Sequence, residues 1–173
     1  MIWFWRFILY SFAGFLLEVA FARLTHQPKL DRKCMILLPL CPVYGLGAVL
    51  ILWLTGQWNA GPGLVMVIGF GGASAAEYLF DLFCERVLGV RFWDYAHQPL
   101  NLNGRICILF SLAWTLLSLI LVYWAAPAAD RLIALIPPAL TPPAVILFAV
   151  DAVVTCRALR EAGTTEVLRW YRF

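Results

Sequence analysis

Five long apolar runs, each closed by polar or charged residues, divide the chain at 2–24, 34–54, 63–84, 106–124 and 144–156. A membrane-spanning helix needs roughly 20 mostly apolar residues, and continuous apolar length alone marks the first four runs as spans. The fifth is shorter and follows two Pro-Pro pairs, Pro137-Pro138 and Pro142-Pro143. Proline is accepted in the first turn of a helix, so Pro143 can open it. The stretch 130–136 then reads as a short helix lying in the outer interface. The pattern predicts an all-α polytopic transmembrane bundle of about five spans, one domain over 1–173, with a polar loop at 89–105 and a tail at 157–173.

Composition names the solvent. Hydrophobic residues make up 63% of the chain and charged ones 13%, and the mean hydropathy is +0.83, which suits lipid better than water. The run from Ile2 to Leu24 is too long for the apolar part of a signal peptide, carries Arg6 and Glu18, and lacks a small-residue cleavage pattern before Arg23; it reads as a retained helix. The net charge of +3 would suggest nucleic acid only if position were ignored. Arg23, Lys29, Arg32 and Lys33 follow the first run, Arg86, Arg91 and Arg105 lie between the third and fourth, and Arg157, Arg160, Arg169 and Arg172 follow the fifth. With five crossings all of these fall on one side, leaving Arg6 and Arg131 on the other. Cytoplasmic loops carry the Lys/Arg excess, so the expectation is a multi-pass cell-membrane protein, N-terminus outside and C-terminus inside, with membrane lipid as a partner and no nucleic acid. Trp3, Trp5, Trp53, Trp58 and Trp124 at the outer level, and Trp93, Trp170 and Tyr171 at the inner one, fit interfacial anchoring. Cys34, Cys41, Cys84, Cys107 and Cys156 are scattered without a C-x-x-C pair and read as reduced thiols.

Small residues open the third run: Gly69, Gly71, Gly72, Ala73, Ser74, Ala75 and Ala76. Helices in lipid pack closely through such residues, so this stretch is expected to make the tightest helix contact. An internal echo, R-x-C-x-[IL] at Arg32 and again at Arg105, suggests that spans 1–2 and 3–4 are a parallel repeat.

Carboxylates inside the runs require an explanation, because a charge at mid-span costs about 2.5–3.5 kcal/mol on insertion scales and marks a functional site by default. At 1.5 Å per residue, Glu18, Glu77 and Asp151 each lie about 9–10 Å from the inner end of their run. Cys41, Tyr44 and Ser111 approach the same level, giving one polar layer. Glu77, Asp81 and Glu85 share a helix face by their i, i+4, i+8 spacing. The loop at 89–105 supplies Asp94, Tyr95, His97, Asn101, Asn103 and Arg105, with Pro99 and Gly104 setting turns. It reads either as a lid over the inner mouth or as an interfacial loop anchored by Trp93 and Tyr95, and Arg105 is placed to pair with a buried carboxylate. His97 and His26 lie far apart, and the sequence has no Ser-His-Asp set, H-E-x-x-H or Cys/His cluster. Pro42 and the glycines after it suggest broken backbone lining a cavity, or a plain kink.

The segments Phe12 to Glu18, C-P-V-Y-G at Cys41, A-E-Y at Ala76, W-D-Y at Trp93 and P-L-N-L-N-G-R-I-C at Pro99 together resemble the family called putative ABC-transporter type IV permeases. Ala96 stands where that pattern has serine. The resemblance implies a polytopic membrane protein; the chain carries no Walker A motif, so an ATP-driven role needs a separate ATPase subunit. Three readings follow. The first is a permease or permease component whose cytoplasm-facing acidic cavity binds a small polar or cationic solute, with Glu18, Tyr44, Glu77, Asp81, Asp94, Tyr95, Asn101, Asn103, Arg105 and Asp151 as candidate ligand-binding residues. The second is an intramembrane enzyme using paired carboxylates on a lipid or amphipathic substrate. The third is a structural subunit in which carboxylates pair with arginines. No catalytic residue, metal or cofactor is assigned, and self-association or a partner subunit is plausible for so small a bundle.

Overall fold

A computed structural model describes residues 1–26 and 33–169. Among these, five helices dominate: α1 Ile2–Leu24, α2 Pro42–Gln57, α3 Pro62–Leu88, α4 Ile108–Ala134 and α5 Pro138–Ala162. Four of them, α1, α3, α4 and α5, are long and apolar enough to cross a membrane; α2, with 16 residues, rises about 24 Å. The protein is an all-α membrane helix bundle. Hydroxyl side chains share its interior with apolar ones: Ser11, Ser74, Ser111 and Ser118 are buried beside Ile51, Val65 and Leu159, while Leu16, Val67, Leu79, Leu116 and Ile146 face outward. In lipid, apolar surface gains nothing by hiding, so small and hydroxyl side chains take the helix contacts.

The elements depart from the hydropathy pattern at several places. The second run does not begin as a helix at Cys34. Residues 33–41 are irregular, and Pro42 opens α2 with Cys41 as its extended cap. Nonhelical backbone at this depth must find partners inside the protein. Here Leu37 N–H and Leu38 N–H donate to the two oxygens of Asp151 at 2.9 and 2.8 Å, Ile36 N–H donates to Thr155 Oγ1 at 3.0 Å, and Cys41 N–H donates to the Ser11 carbonyl at 3.0 Å. Cys34 N–H closes the loop on the Leu40 carbonyl, and the Cys34 and Cys41 sulfurs lie 3.5 Å apart. No disulfide joins the five cysteines.

The fourth span does not end at Trp124. Pro127 would break an α-helix by removing a donor and clashing with the carbonyl four residues earlier. Here a π-helical turn at Leu121–Ala125 widens the backbone just before it, and the helix runs on to Ala134. The segment expected at 130–136 as a separate interfacial helix is therefore mostly the last turn of α4. Arg6 of α1 holds it there, its Nε and Nη2 donating to Asp130 at 2.8 and 2.6 Å while its guanidinium lies over the Trp3 ring. The fifth span is also longer than its apolar core: a turn at Pro138–Leu140 leads into a helix over Thr141–Ala162, with prolines in its first turn where no intrahelical donor is lost. Arg157 and Arg160 thus belong to α5 rather than to a tail. Lys29, Arg32, Trp170, Tyr171 and Arg172 lie outside the described residues.

The third span carries a register device. Val65, Gly69, Ala73, Glu77 and Asp81 are buried at a strict interval of four. In a pure α-helix each such step drifts about 40° around the axis. A π-helical turn at Gly69–Ala73 absorbs an extra residue and keeps the row facing the bundle.

The small-residue expectation is met in part. A Cβ at Gly69 would collide with Ser118 of α4, but nothing lies within 4 Å of one at Gly71. Equally tight approaches join α1 and α2, where Gly14 sits against the Tyr44 ring and Gly45 against Ser11 and Phe7. The proposed repeat fails in its motif register, since Cys34 lies in irregular chain whereas Cys107 caps α4.

Candidate functional site

Between α3 and α4 the chain folds back over one end of the bundle. Asn101–Leu102 and Ile106–Cys107 form a short antiparallel hairpin, β1 and β2, pairing Asn101 with Cys107 and Leu102 with Ile106. Its turn is Asn103-Gly104, both at positive φ (54° and 68°), with Arg105 N–H donating to the Leu102 carbonyl at 3.0 Å; Asn-Gly is favoured where both central residues need that conformation. Three of the candidate residues shape this loop rather than a cavity. Exposed Asp94 accepts from Ala96 N–H, Asn101 donates to the Ala96 and Gln98 carbonyls and accepts from Gly104 N–H, and Asn103 donates to the Tyr78 hydroxyl.

Arg105 fastens the loop to α3. Its Nη1 donates to Asp81 at 2.5 Å and its Nη2 to Glu85, while Arg91 approaches Asp81 at 3.4 Å. Asp81, fully buried, is thus flanked by two guanidinium groups. Trp93 donates to the Arg105 carbonyl at 2.9 Å and stacks on Phe80.

Tyr95 connects the loop to the bundle interior. Its hydroxyl donates to Glu77 Oε1 at 3.1 Å, and its ring stacks on Phe110 of α4 at a centroid distance of 4.7 Å. Burial first, and then the neighbouring Glu77, push this hydroxyl well above its ordinary pKa, so it remains a donor. The other oxygen of Glu77 accepts from Trp114 Nε1 at 3.0 Å. On the opposite wall Glu18 accepts from the Tyr44 hydroxyl at 2.7 Å, and the Tyr44 and Trp114 rings lie 5.1 Å apart. Glu18 and Glu77 line one cavity of about 70 Å³, walled by Tyr44, Trp93, Tyr95, Phe110 and Trp114.

The sequence-derived layer of acids therefore separates into three sites. Glu18, Tyr44, Glu77 and Tyr95 converge on the cavity; Asp81 and Arg105 belong to the ion cluster under the loop; Asp151 is sealed against the irregular chain at 36–38 and Thr155. Asp151 does not line the cavity. The sequence marks Trp93 only as an anchor and does not single out Val43, Phe110, Ala113, Trp114 or Leu117, all of which line the cavity. Trp114 carried a usable signal: tryptophan prefers the headgroup level, and one in mid-span needs an acceptor for its N–H. Phe110 carried none, because a phenylalanine in an apolar run is ordinary.

A second, larger groove of about 610 Å³ runs between α2 and α3 and is lined by Leu46, Leu50, Trp53, Leu79, Phe80 and Phe83, among others. It is apolar throughout and includes neither glutamate. Among the described residues no group of three His, Cys, Asp or Glu side chains is arranged to hold a metal.

No curated protein and no solved structure matches the chain. A family match spans residues 5–156, covering α2, α3, α4, most of α1 and α5, the hairpin loop and both cavity glutamates. This helix bundle belongs to the family described as putative ABC-transporter type IV.

Proposed function

We propose that the protein is a permease, or the membrane component of one, and that it binds a small polar or cationic solute between Glu18 and Glu77. Two carboxylates from different helices, opening on one cavity at bilayer depth, carry this reading; intramembrane acids of this kind line solute and ion pathways. The bundle crosses the membrane five times, α2 included, with the hairpin loop on the cytoplasmic side, as the one-sided distribution of Lys and Arg favours. The loop covers the cavity, with Tyr95 as its inward contact. Any ATP-driven role requires an ATPase outside these 173 residues, so a partner subunit, or a second copy, belongs to the reading.

The structural reading has support at other positions. Asp81, Glu85 and Asp151 all hold charged or hydrogen-bonded partners within the fold, and their part is to fix the loop and the irregular chain. The enzyme reading has less support, because the groove on the lipid-facing side of α2 and α3 brings no acid to its surface.

Flux measured in proteoliposomes tests the proposal. Glu77→Gln keeps the shape and an acceptor but removes the charge, and should cut solute flux at least tenfold; Glu18→Gln should also reduce it. Unchanged flux in both variants would overturn the assignment.

A further inference from the structure

We infer that the cavity is a cage for a compact alkylated ammonium ion, an inference that rests on the solute-binding reading above and narrows it to one chemical class. Aromatic rings make up half of the lining residues: five rings surround two carboxylates, and four of them are held in pairs, Tyr44 against Trp114 and Tyr95 against Phe110. Three of the four paired rings are fixed by hydrogen bonds to the carboxylates themselves, through Tyr44 Oη, Tyr95 Oη and Trp114 Nε1. The cage is therefore set before a ligand arrives, and the ligand does not bear the cost of ordering it.

Charge and size narrow the occupant further. Two carboxylates disfavour anions. Glu77 is 5% exposed, and its two oxygens accept from neutral donors; no basic side chain among the described residues pairs with it. A cation in the cavity supplies the missing countercharge. A small hard cation asks for about six oxygen ligands at close range, whereas both oxygens of Glu77 are already engaged by Tyr95 and Trp114, and Glu18 by Tyr44. Ring faces attract weakly hydrated cations, and quaternary ammonium groups are the usual guests of such cages. The volume of about 70 Å³ corresponds to roughly two waters at about 30 Å³ each, enough for a few heavy atoms. Methylammonium, with two heavy atoms, fits this description; tetramethylammonium, with five, is too bulky, and so is a guanidinium on a long stem.

Calorimetric titration of the purified protein in detergent, at fixed ionic strength, tests the inference. The probes are methylammonium, tetramethylammonium, sodium and potassium chlorides. One saturable site is expected for methylammonium, with sodium, potassium and the bulkier tetramethylammonium binding at least tenfold more weakly. Phe110→Leu removes a ring that makes no hydrogen bond and should weaken alkylammonium binding several-fold, up to roughly thirtyfold for a desolvated contact. Glu77→Gln should abolish it. Circular dichroism and gel filtration establish that each variant is folded, and Phe110→Tyr, which keeps the ring, should restore affinity. If potassium or sodium binds as tightly and Phe110→Leu changes nothing, the aromatic cage is wrong while the solute site stands. If no cation binds and Glu77→Gln leaves flux intact, both fall together.

Discussion

Asp151 and Glu77 lie at similar depth in their helices, yet their surroundings give them different work. Asp151 is fully buried and accepts two backbone N–H groups from irregular chain that has no helical partner for them. Hydrogen bonds to a charged group contribute about 1.5–3 kcal/mol each, and orphaned donors carry a comparable penalty. Asp151→Ala should therefore destabilise the fold by about 3 kcal/mol or more, whereas Thr155→Val, which removes the acceptor of Ile36 N–H and a donor to Asp151, should cost about 2 kcal/mol. Unfolding in detergent micelles measures both, and an Asp151→Ala protein as stable as the parent would refute the capping role. Glu77 is held instead by a phenol and an indole. Its loss should register in binding and flux more than in folding.

At the scale of elements, glycine position decides which helices can touch. Gly14 and Gly45 place α1 against α2 so closely that a methyl group at either would meet Tyr44 or Ser11. Displacing Tyr44 also moves the hydroxyl that binds Glu18. Gly14→Ala and Gly45→Ala should each destabilise by about 1–3 kcal/mol through overpacking, while Gly71→Ala, facing open space, should stay within about 0.5 kcal/mol. Thermal unfolding of the three variants checks the ranking; equal behaviour would mean that α1 and α2 do not approach as described. The π-helical turns act at the same scale. One keeps the Val65-to-Asp81 row pointed inward, and another carries α4 past Pro127. Neither is written in a hydropathy pattern, because the turn is selected by what the helix packs against rather than by local preference.

For the molecule as a whole, the connection between α2 and α3 and the hairpin loop lie at opposite ends of α3, whose 27 residues rise about 40 Å. Single cysteines placed at Asn59 and at His97, in a background without the native thiols, report their sides. In intact cells a membrane-impermeant maleimide should label Asn59→Cys directly and His97→Cys only after permeabilisation. The reverse pattern would invert the topology, and labelling of both from one side would exclude a crossing by α3.

The membrane as solvent and the run of apolar helices are determined by the sequence alone, because transfer into lipid is summed residue by residue and needs no knowledge of neighbours. Pairing of Arg105 with a buried acid and the inward reach of the loop were also legible, from a polar segment too rich for a connector. The grouping of the acids was not. Whether Glu77 meets Glu18 rather than Asp151 depends on helix rotation, on a widened turn and on where backbone leaves the helix at 33–41. Those are settled by long-range contacts such as Leu37 and Leu38 on Asp151, which join residues over a hundred positions apart and leave no local trace.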